Sequence, residues 1–327
     1  MRLITFTVDG DRPRLGAWID QDERVIDFNL AAAARQEPVA ELSSMLALIC
    51  SGDRGMTRAR DIGVDPPPRS IRASRECRLL APLPEPTQIR DFLCFEEHLR
   101  NVLTAAIELR ARASDDPDAT RAALRASPAF QVPSVLLERP LYYTASRNCV
   151  AGHDDEVLWP AYSKLRDYEL EFAAVIGRPG KDIPRDTALD HIFGYTIFND
   201  LSARDEQFAV MEGRLGPGKG KDFDGGNVFG PCIVTADEIT DPYSLTMTAR
   251  VNGEEWSRGS SGSMRHRFED VIAYASRSET LHAGEMLCSG TVGTGSGFES
   301  LRFLEPGDIV ELEIERIGLL RTRIAVA

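Results

Sequence analysis

The tract Asp167-Tyr168-Glu169-Leu170-Glu171-Phe172-Ala173-Ala174-Val175-Ile176-Gly177 constrains the fold of this chain more than any other. Read as a β-strand, it sends residues two apart to one face, about 6.6 Å apart along the chain. Glu169 and Glu171 then project together, while Tyr168, Leu170 and Phe172 cover the opposite side. The carboxylate side continues as Ala173 and Val175, so the strand reads as buried on both faces. Two ionised carboxylates facing an interior repel one another and lose hydration unless positive charge lies between them. A hard divalent cation is the simplest source of that charge. The tract Val310-Glu311-Leu312-Glu313-Ile314-Glu315 shows the same alternation, but it follows Pro306-Gly307-Asp308 and its acidic face stays acidic. It reads as a solvated strand, so alternation alone does not mark a site.

Composition excludes several classes of function. The formal net charge of -13 argues against nucleic-acid and anionic-membrane partners, which need a concentrated basic surface. No apolar run approaches the ~20 residues needed to span a bilayer, and Met1-Arg2-Leu3-Ile4-Thr5-Phe6 enters a strand pattern rather than a signal-peptide core. Cys50, Cys77, Cys94, Cys149, Cys232 and Cys288 are scattered without Cys-x-x-Cys spacing, which suits reduced thiols. The expected compartment is the cytoplasm.

Alternating tracts at residues 3–8, 15–19 and 24–28, with turns at Asp9-Gly10 and Asp20-Gln21-Asp22, predict short antiparallel strands. Asn29 is expected to open an Ala-rich helix that continues toward Cys50. Pro66-Pro67-Pro68, then Pro82, Pro84 and Pro86, read as an extended linker. The division expected is a small N-terminal β-containing domain over 1–78 and a larger domain over 79–327. Within the latter, residues 97–126 read as a helical segment interrupted at Asp115-Asp116-Pro117, and a lid role is expected of it. Beyond Pro133 many short β tracts follow without regular βαβ alternation, with Phe268 to Ser276 the clearest helix. The fold class is therefore α+β and β-rich, a roll rather than a doubly wound sheet.

Gly194-Tyr195-Thr196-Ile197-Phe198-Asn199-Asp200 is an apolar strand ending in a carboxylate, and Ser202 or Asp205 then offers a helix cap. Asp200 is placed either to complete a Glu169-Glu171-Asp200 set around a cation or simply to open a turn. Gly213 to Lys219 satisfies Gly-x-x-x-x-Gly-Lys, but Gly220 stands where a phosphate-binding loop needs Ser or Thr, and the nucleotide reading fails.

These blocks, together with Ser289-Gly290-Thr291-Val292-Gly293 and Leu304-Glu305-Pro306-Gly307-Asp308, resemble the signature blocks of the fumarylacetoacetate hydrolase family. The similarity runs from about Leu80 to the C-terminus. It implies a mixed β-roll or β-sandwich catalytic domain that dimerises, an Mg²⁺ site (Mn²⁺ or Ca²⁺ as alternatives) on Glu169, Glu171 and Asp200, and a place in aromatic catabolism. Arg90-Asp91-Phe92-Leu93-Cys94-Phe95-Glu96-Glu97-His98 is similar to the segment supplying the family's catalytic histidine. His98 is by that match the general base, Glu299 its orienting acid, and Asp91 a fourth candidate ligand. The same match assigns Lys221 and Gln207 to the substrate or its developing oxyanion and Thr291 to a substrate carboxylate, with Tyr143 a candidate for the pocket. A clamp for a distal carboxylate cannot be aligned; Arg100, Arg110 and Arg112 are the candidates. The reaction expected is hydrolysis of a carbon-carbon bond in a 2,4-dioxo acid by water activated at His98 and Glu299. The rivals are an oxaloacetate-type decarboxylase, a keto-enol isomerase or hydratase on the same site, and a silent oxo-acid-binding protein.

Overall fold

All seven residues of the strand Leu170–Ile176 are buried, as apolar side chains on both faces of the tract require. The computed structural model describes residues 1–326. Its N-terminal strands are β1 (Arg2–Thr7), β2 (Arg14–Ile19) and β3 (Arg24–Asp27), and helix α1 (Met45–Val64) follows. Next come β4 (Gln88–Phe92), α2 (Glu96–Arg112), α3 (Pro117–Ala126) and β5 (Tyr142–Ala145). The acid-bearing strand is β6 (Leu170–Ile176), followed by β7 (Ile192–Asp200), α4 (Arg204–Met211) and β8 (Asn227–Thr235). The remaining main elements are β9 (Thr246–Val251), β10 (Glu254–Ser260), α5 (Phe268–Ala275), β11 (Glu285–Cys288), β12 (Ile309–Ile314) and β13 (Gly318–Ala325).

A twelve-stranded sheet runs along the path β3, β2, β1, β8, β7, β6, β11, β4, β5, with Ile71–Ala73 added beside β3. A five-stranded sheet is ordered β10, β9, β12, β13 and Glu156–Leu158. Alternation along β6 feeds two cores. Leu170, Phe172, Ala174 and Ile176 pack with Met247, Leu312 and Phe268, from the second sheet and α5. Ala173 and Val175 pack with Leu3, Phe28 and Leu48 on the other face. Each large apolar side chain buried this way contributes about 1.5–3 kcal/mol, against ~1 kcal/mol for an exposed ion pair. Packing thus sets where β6 lies, and its carboxylates are carried to that place. The contrasting strand β12 leaves Glu313 exposed and paired with Arg250 at 2.7 Å, as its acidic face suggests.

Three local expectations change. The segment expected to be an extended linker is tied into the sheet: Ile71–Ala73 pairs with β3, and Arg78–Leu79 pairs with β1. Because β1 also pairs with β8, the N-terminal strands extend the large sheet directly. The Ala-rich helix is capped by Asp27, which accepts from the Leu30 amide, rather than by Asn29. It stops at Ala34, and α1 begins separately under the Ser44 cap.

The helical segment breaks where expected, with Asp116 capping α3 and Pro117 in its first turn. The two halves are anchored unequally. His98, Ala105, Ile107 and Ala111 of α2 are buried, whereas no residue of α3 is. Hydrogen exchange should therefore be fastest in α3, slower on the inner face of α2 and slowest in β6. Equal protection across residues 97–126 and β6 in the ligand-free protein would show a packed helix pair, not a lid.

Gly290 follows β11 at φ +75°, and a Cβ built there would lie 2.1 Å from the Phe92 carbonyl oxygen at the end of β4. Gly290→Ala should cost about 2–3 kcal/mol, read as a lower denaturant midpoint at an unchanged slope.

Candidate active site

The path β7, β6, β11, β4 brings the carboxylates together. Asp91 lies opposite Cys288 on β11, and Cys288 lies opposite Ala173 on β6. Glu171, at the start of β6, and Asp200, at the end of β7, complete the cluster. One oxygen from each of Asp91, Glu171 and Asp200 lies within 4.8 Å of the others. All three residues are buried, and Asp91 Oδ1, Glu171 Oε2 and Asp200 Oδ1 have no hydrogen-bond partner among the described residues. Tyr143 donates to Asp200 Oδ2 at 2.7 Å, and Thr291 donates to Glu171 Oε1 at 3.2 Å. Burial and the neighbouring carboxylates push Asp91 and Glu171 well above the usual carboxylate range. Burial also raises Asp200, although Lys221 partly offsets this. Three buried, mutually repelling carboxylates with an orphaned oxygen apiece fit a hard divalent cation, which oxygen donors suit. Asp91, Glu171 and Asp200 are the residues that would hold it.

Glu169 has a different environment. It stands just ahead of β6, where it bridges to Ser296. Arg204 Nη2 lies 2.8 Å from its Oε1, Lys221 Nζ lies 2.5 Å from its Oε2, and His98 Nε2 lies 3.5 Å from its Oε1. Burial alone would raise its pKa, but Arg204 and Lys221 outweigh burial and hold it well below the usual range. The sequence reading grouped Glu169 with Glu171 and Asp200 and set Asp91 nearby. In the structure Asp91 sits within the orphaned cluster, and Glu169 is engaged by side-chain cations.

His98, in the first turn of α2, meets Glu299, in the turn Phe298–Ser300, through Nδ1 and Oε1 at 2.8 Å. Burial would lower the His98 pKa, but the neighbouring Glu169 and Glu299 carboxylates prevail and lift it to about 9. The loop that carries Glu299 is fixed by Asp167, which accepts from the amides of Gly297 at 2.8 Å and Phe298 at 3.2 Å. Arg204 donates to that same Asp167 at 2.7 Å, so one guanidinium ties Glu169 to the Glu299 loop.

Lys221 is buried, with Glu169, Asp200 Oδ2 and Ser202 Oγ all within its reach. Gln207 accepts from Arg204 Nη1 at 2.9 Å. The three candidate clamp arginines are occupied outside the site: Arg100 pairs with Glu96, Arg112 pairs with Glu108, and Arg110 covers the Phe130 ring. Neither expected side-chain cap serves α4. Asp205 instead accepts from Ser163 and the Lys164 amide, and Ser202 donates to the Asp200 carbonyl. Arg204 and Asp167 were given no role from sequence. The available signal was an arginine within Ser202-Ala203-Arg204-Asp205 and an aspartate two residues before Glu169.

Residues 87–325 match the family described as fumarylacetoacetate (FAA) hydrolase C-terminal. The oxaloacetate tautomerase YisK of Bacillus subtilis (strain 168) is 31% identical over 322 residues, covering 96% of this chain and 97% of its own. A solved fumarylacetoacetate hydrolase from psychrophilic Exiguobacterium antarcticum superposes with a TM-score of 0.75 at 26% identity, over 100% of both chains. A maleylpyruvate hydrolase from Sphingobium sp. SYK-6, solved with manganese(II) ion and pyruvate, shares the fold with a TM-score of 0.71 at 21% identity, again over 100% of both chains.

The raised carboxyls of Asp91 and Glu171 fix a sign for the metal-free protein. Their folded pKa values exceed the unfolded ones, so this stability is present below about pH 4 and is lost as pH rises toward the folded values. A cation opposes that loss. At a hundredfold excess over its dissociation constant it adds about 2.7 kcal/mol, or roughly 4–7 °C in Tm. Mg²⁺ or Mn²⁺ should raise Tm by that amount at pH 8, by less at pH 5, and EDTA should reverse it. A Tm indifferent to cation and chelator at pH 8 would overturn the site.

Proposed function

The chain belongs to the fumarylacetoacetate hydrolase family, and from that premise we propose that it is a divalent-cation-dependent keto-enol tautomerase of a small 2-oxo dicarboxylic acid of the oxaloacetate type. The observation that carries this reading is His98 held between two carboxylates, Glu299 at Nδ1 and Glu169 at Nε2, beside the orphaned cluster. Such a group is set to move a proton, and tautomerisation needs nothing else moved. The tautomerase named for a relative aligned along nearly the whole chain supports the choice.

When bound, the cation would polarise the 2-oxo group and so acidify the adjacent carbon-hydrogen bond. His98 gives its Nε2 proton to the substrate carbon as the enol collapses and recovers one from the enol hydroxyl, so no atom is gained or lost. Glu299 holds the Nδ1 proton and with it the ring orientation. Lys221 places positive charge beside the oxygen on which enolate charge develops, Gln207 is the second candidate contact to that oxygen, and Thr291 is the candidate for a substrate carboxylate. The carbon-carbon hydrolysis favoured from sequence uses the same residues, with His98 taking a proton from water. The likeness to a solved fumarylacetoacetate hydrolase keeps it as the second reading.

Enol-oxaloacetate supplied with Mg²⁺ or Mn²⁺ should lose its enol absorbance faster than the uncatalysed rate, with no pyruvate or carbon dioxide released. Cleavage products from 2,4-dioxo acids, without enol turnover, would overturn the tautomerase in favour of hydrolysis. His98→Ala and Glu299→Gln should each slow the reaction by ~10²–10⁴-fold while the cation affinity stays within about threefold. Parallel loss of cation binding would make them structural residues instead.

A further inference from the structure

Glu299 is held by more than its histidine. Its Oε1 accepts from His98 Nδ1 at 2.8 Å, the Ser296 amide at 3.2 Å and Ser296 Oγ at 3.3 Å. Its Oε2 accepts from the Thr294 amide at 2.8 Å and from Asn101 Nδ2 at 2.7 Å. Asn101 lies three residues after His98 on α2, so the two side chains share one face of the helix. One helix therefore grips both oxygens of the carboxylate, His98 the first and Asn101 the second. The outer torsion of a glutamate is broad and nearly two-fold. Without Asn101, Oε2 keeps one donor, the Thr294 amide, and the Ser296 contacts to Oε1 are long at 3.2 and 3.3 Å, so the carboxylate plane is held less firmly against His98 Nδ1. Asparagine in a helix interior is less favourable than alanine by a few tenths of a kcal/mol, so helix stability alone gives no reason for it at this position. Nearby, Glu97 packs against Gly293, where an added Cβ would lie 2.4 Å from the Glu97 carboxylate, so the first turns of α2 dock directly on the loop that holds Glu299.

We propose that Asn101 is a positioning residue: it fixes the plane of the Glu299 carboxylate and through it the orientation of the His98 imidazole. The inference rests on the reading of His98 as the group that transfers the proton. Among the described residues the side-chain hydrogen bond of Asn101 goes to Glu299, and none goes to the orphaned cluster or to His98, so it acts through Glu299.

That dependence sets the test, a double-mutant cycle with Glu299→Gln measured on enol-oxaloacetate turnover. Asn101→Ala should lower kcat by about tenfold, with KM and Mg²⁺ affinity within about twofold and Tm little changed; one charge-assisted hydrogen bond of this kind supports a loss of that size. In the Glu299→Gln background the same substitution should cost less than about twofold. An equal loss in both backgrounds, or none in either, would overturn the proposal. The His98 Nδ1 proton, read by NMR on protein with nitrogen-15 labelled histidine, supplies a second measurement that needs no turnover. It should be slow to exchange in the parent and faster in Asn101→Ala. If that change appears while the parent turns over no oxo acid, the positioning role stands and the functional reading falls. If the proton is unaffected by the substitution, the positioning role falls whatever the activity.

Discussion

Unbalanced negative charge in a dry interior is the constraint on which the rest of this molecule depends. Asp91, Asp167, Glu169, Glu171, Asp200 and Glu299 are gathered in one buried region, and the permanent cations among them are Arg204 and Lys221. The protein does not spread those two charges evenly. Arg204 serves Asp167 and Glu169, and Lys221 serves Glu169 and one oxygen of Asp200. Asp91, Glu171 and the other oxygen of Asp200 are left facing one another. Burial and mutual repulsion raise the Asp91 and Glu171 carboxyls well above the usual range, and burying such polar groups without partners costs free energy that the packing on either side must exceed. The two cores on the faces of β6 supply that packing.

The same strand geometry explains why two glutamates of one motif diverge. Glu169 and Glu171 share a face, but two residues of translation along the strand change their neighbours. Glu171 lies within the ladder, opposite Phe198, and its carboxylate turns toward the Asp91 of β4. Glu169 stands before the regular ladder, beside the first turn of α4 and the loop around Ser296, where Arg204 and Lys221 reach it. Position relative to the sheet end, rather than residue type, decides which carboxylate is neutralised by side chains and which keeps an oxygen without a partner among the described residues.

What the sequence made legible follows the range of the interactions. The double-sided burial of β6, the solvated face of β12, the carboxylate at the end of β7 and the break before Pro117 are each set by residues a few positions apart, and each can be read from pattern. The pairing of His98 with Glu299 was reachable through family resemblance, since 201 residues separate them. The roles of Arg204 and Asn101 were not legible, because their partners lie 35 and 198 residues away and nothing local distinguishes them from an ordinary helical arginine and asparagine. The caps expected for α4 failed for the same reason. Asp205 and Ser202 have cap chemistry, but Ser163 and Lys221 claim their oxygens from a distance. At Ser202 and Asp205 local propensity lost to tertiary contacts.

Glu169 is the one group that the two halves of the site share. On one side stand His98, Glu299 and the loop fixed by Asp167; on the other stand Lys221, Asp200 and the orphaned cluster. Glu169 touches His98 Nε2 with the same oxygen that Arg204 holds, and its second oxygen meets Lys221. Arg204 and Lys221 between them hold both oxygens of Glu169, so its carboxylate is the fixed member of the contact with His98. His98 sits in the first turn of α2, a helix buried along one face, and no residue of the following α3 is fully buried. Stability is thus graded outward from the carboxylates: a strand locked by two cores, a helix held at one face, then a helix held hardly at all. Segments that open and close are drawn from the low-stability end of a structure, whereas buried carboxylates need the most rigid support beneath them. Burial is complete in β6, one-sided in α2 and absent at full depth in α3, so rigidity is concentrated under the carboxylates.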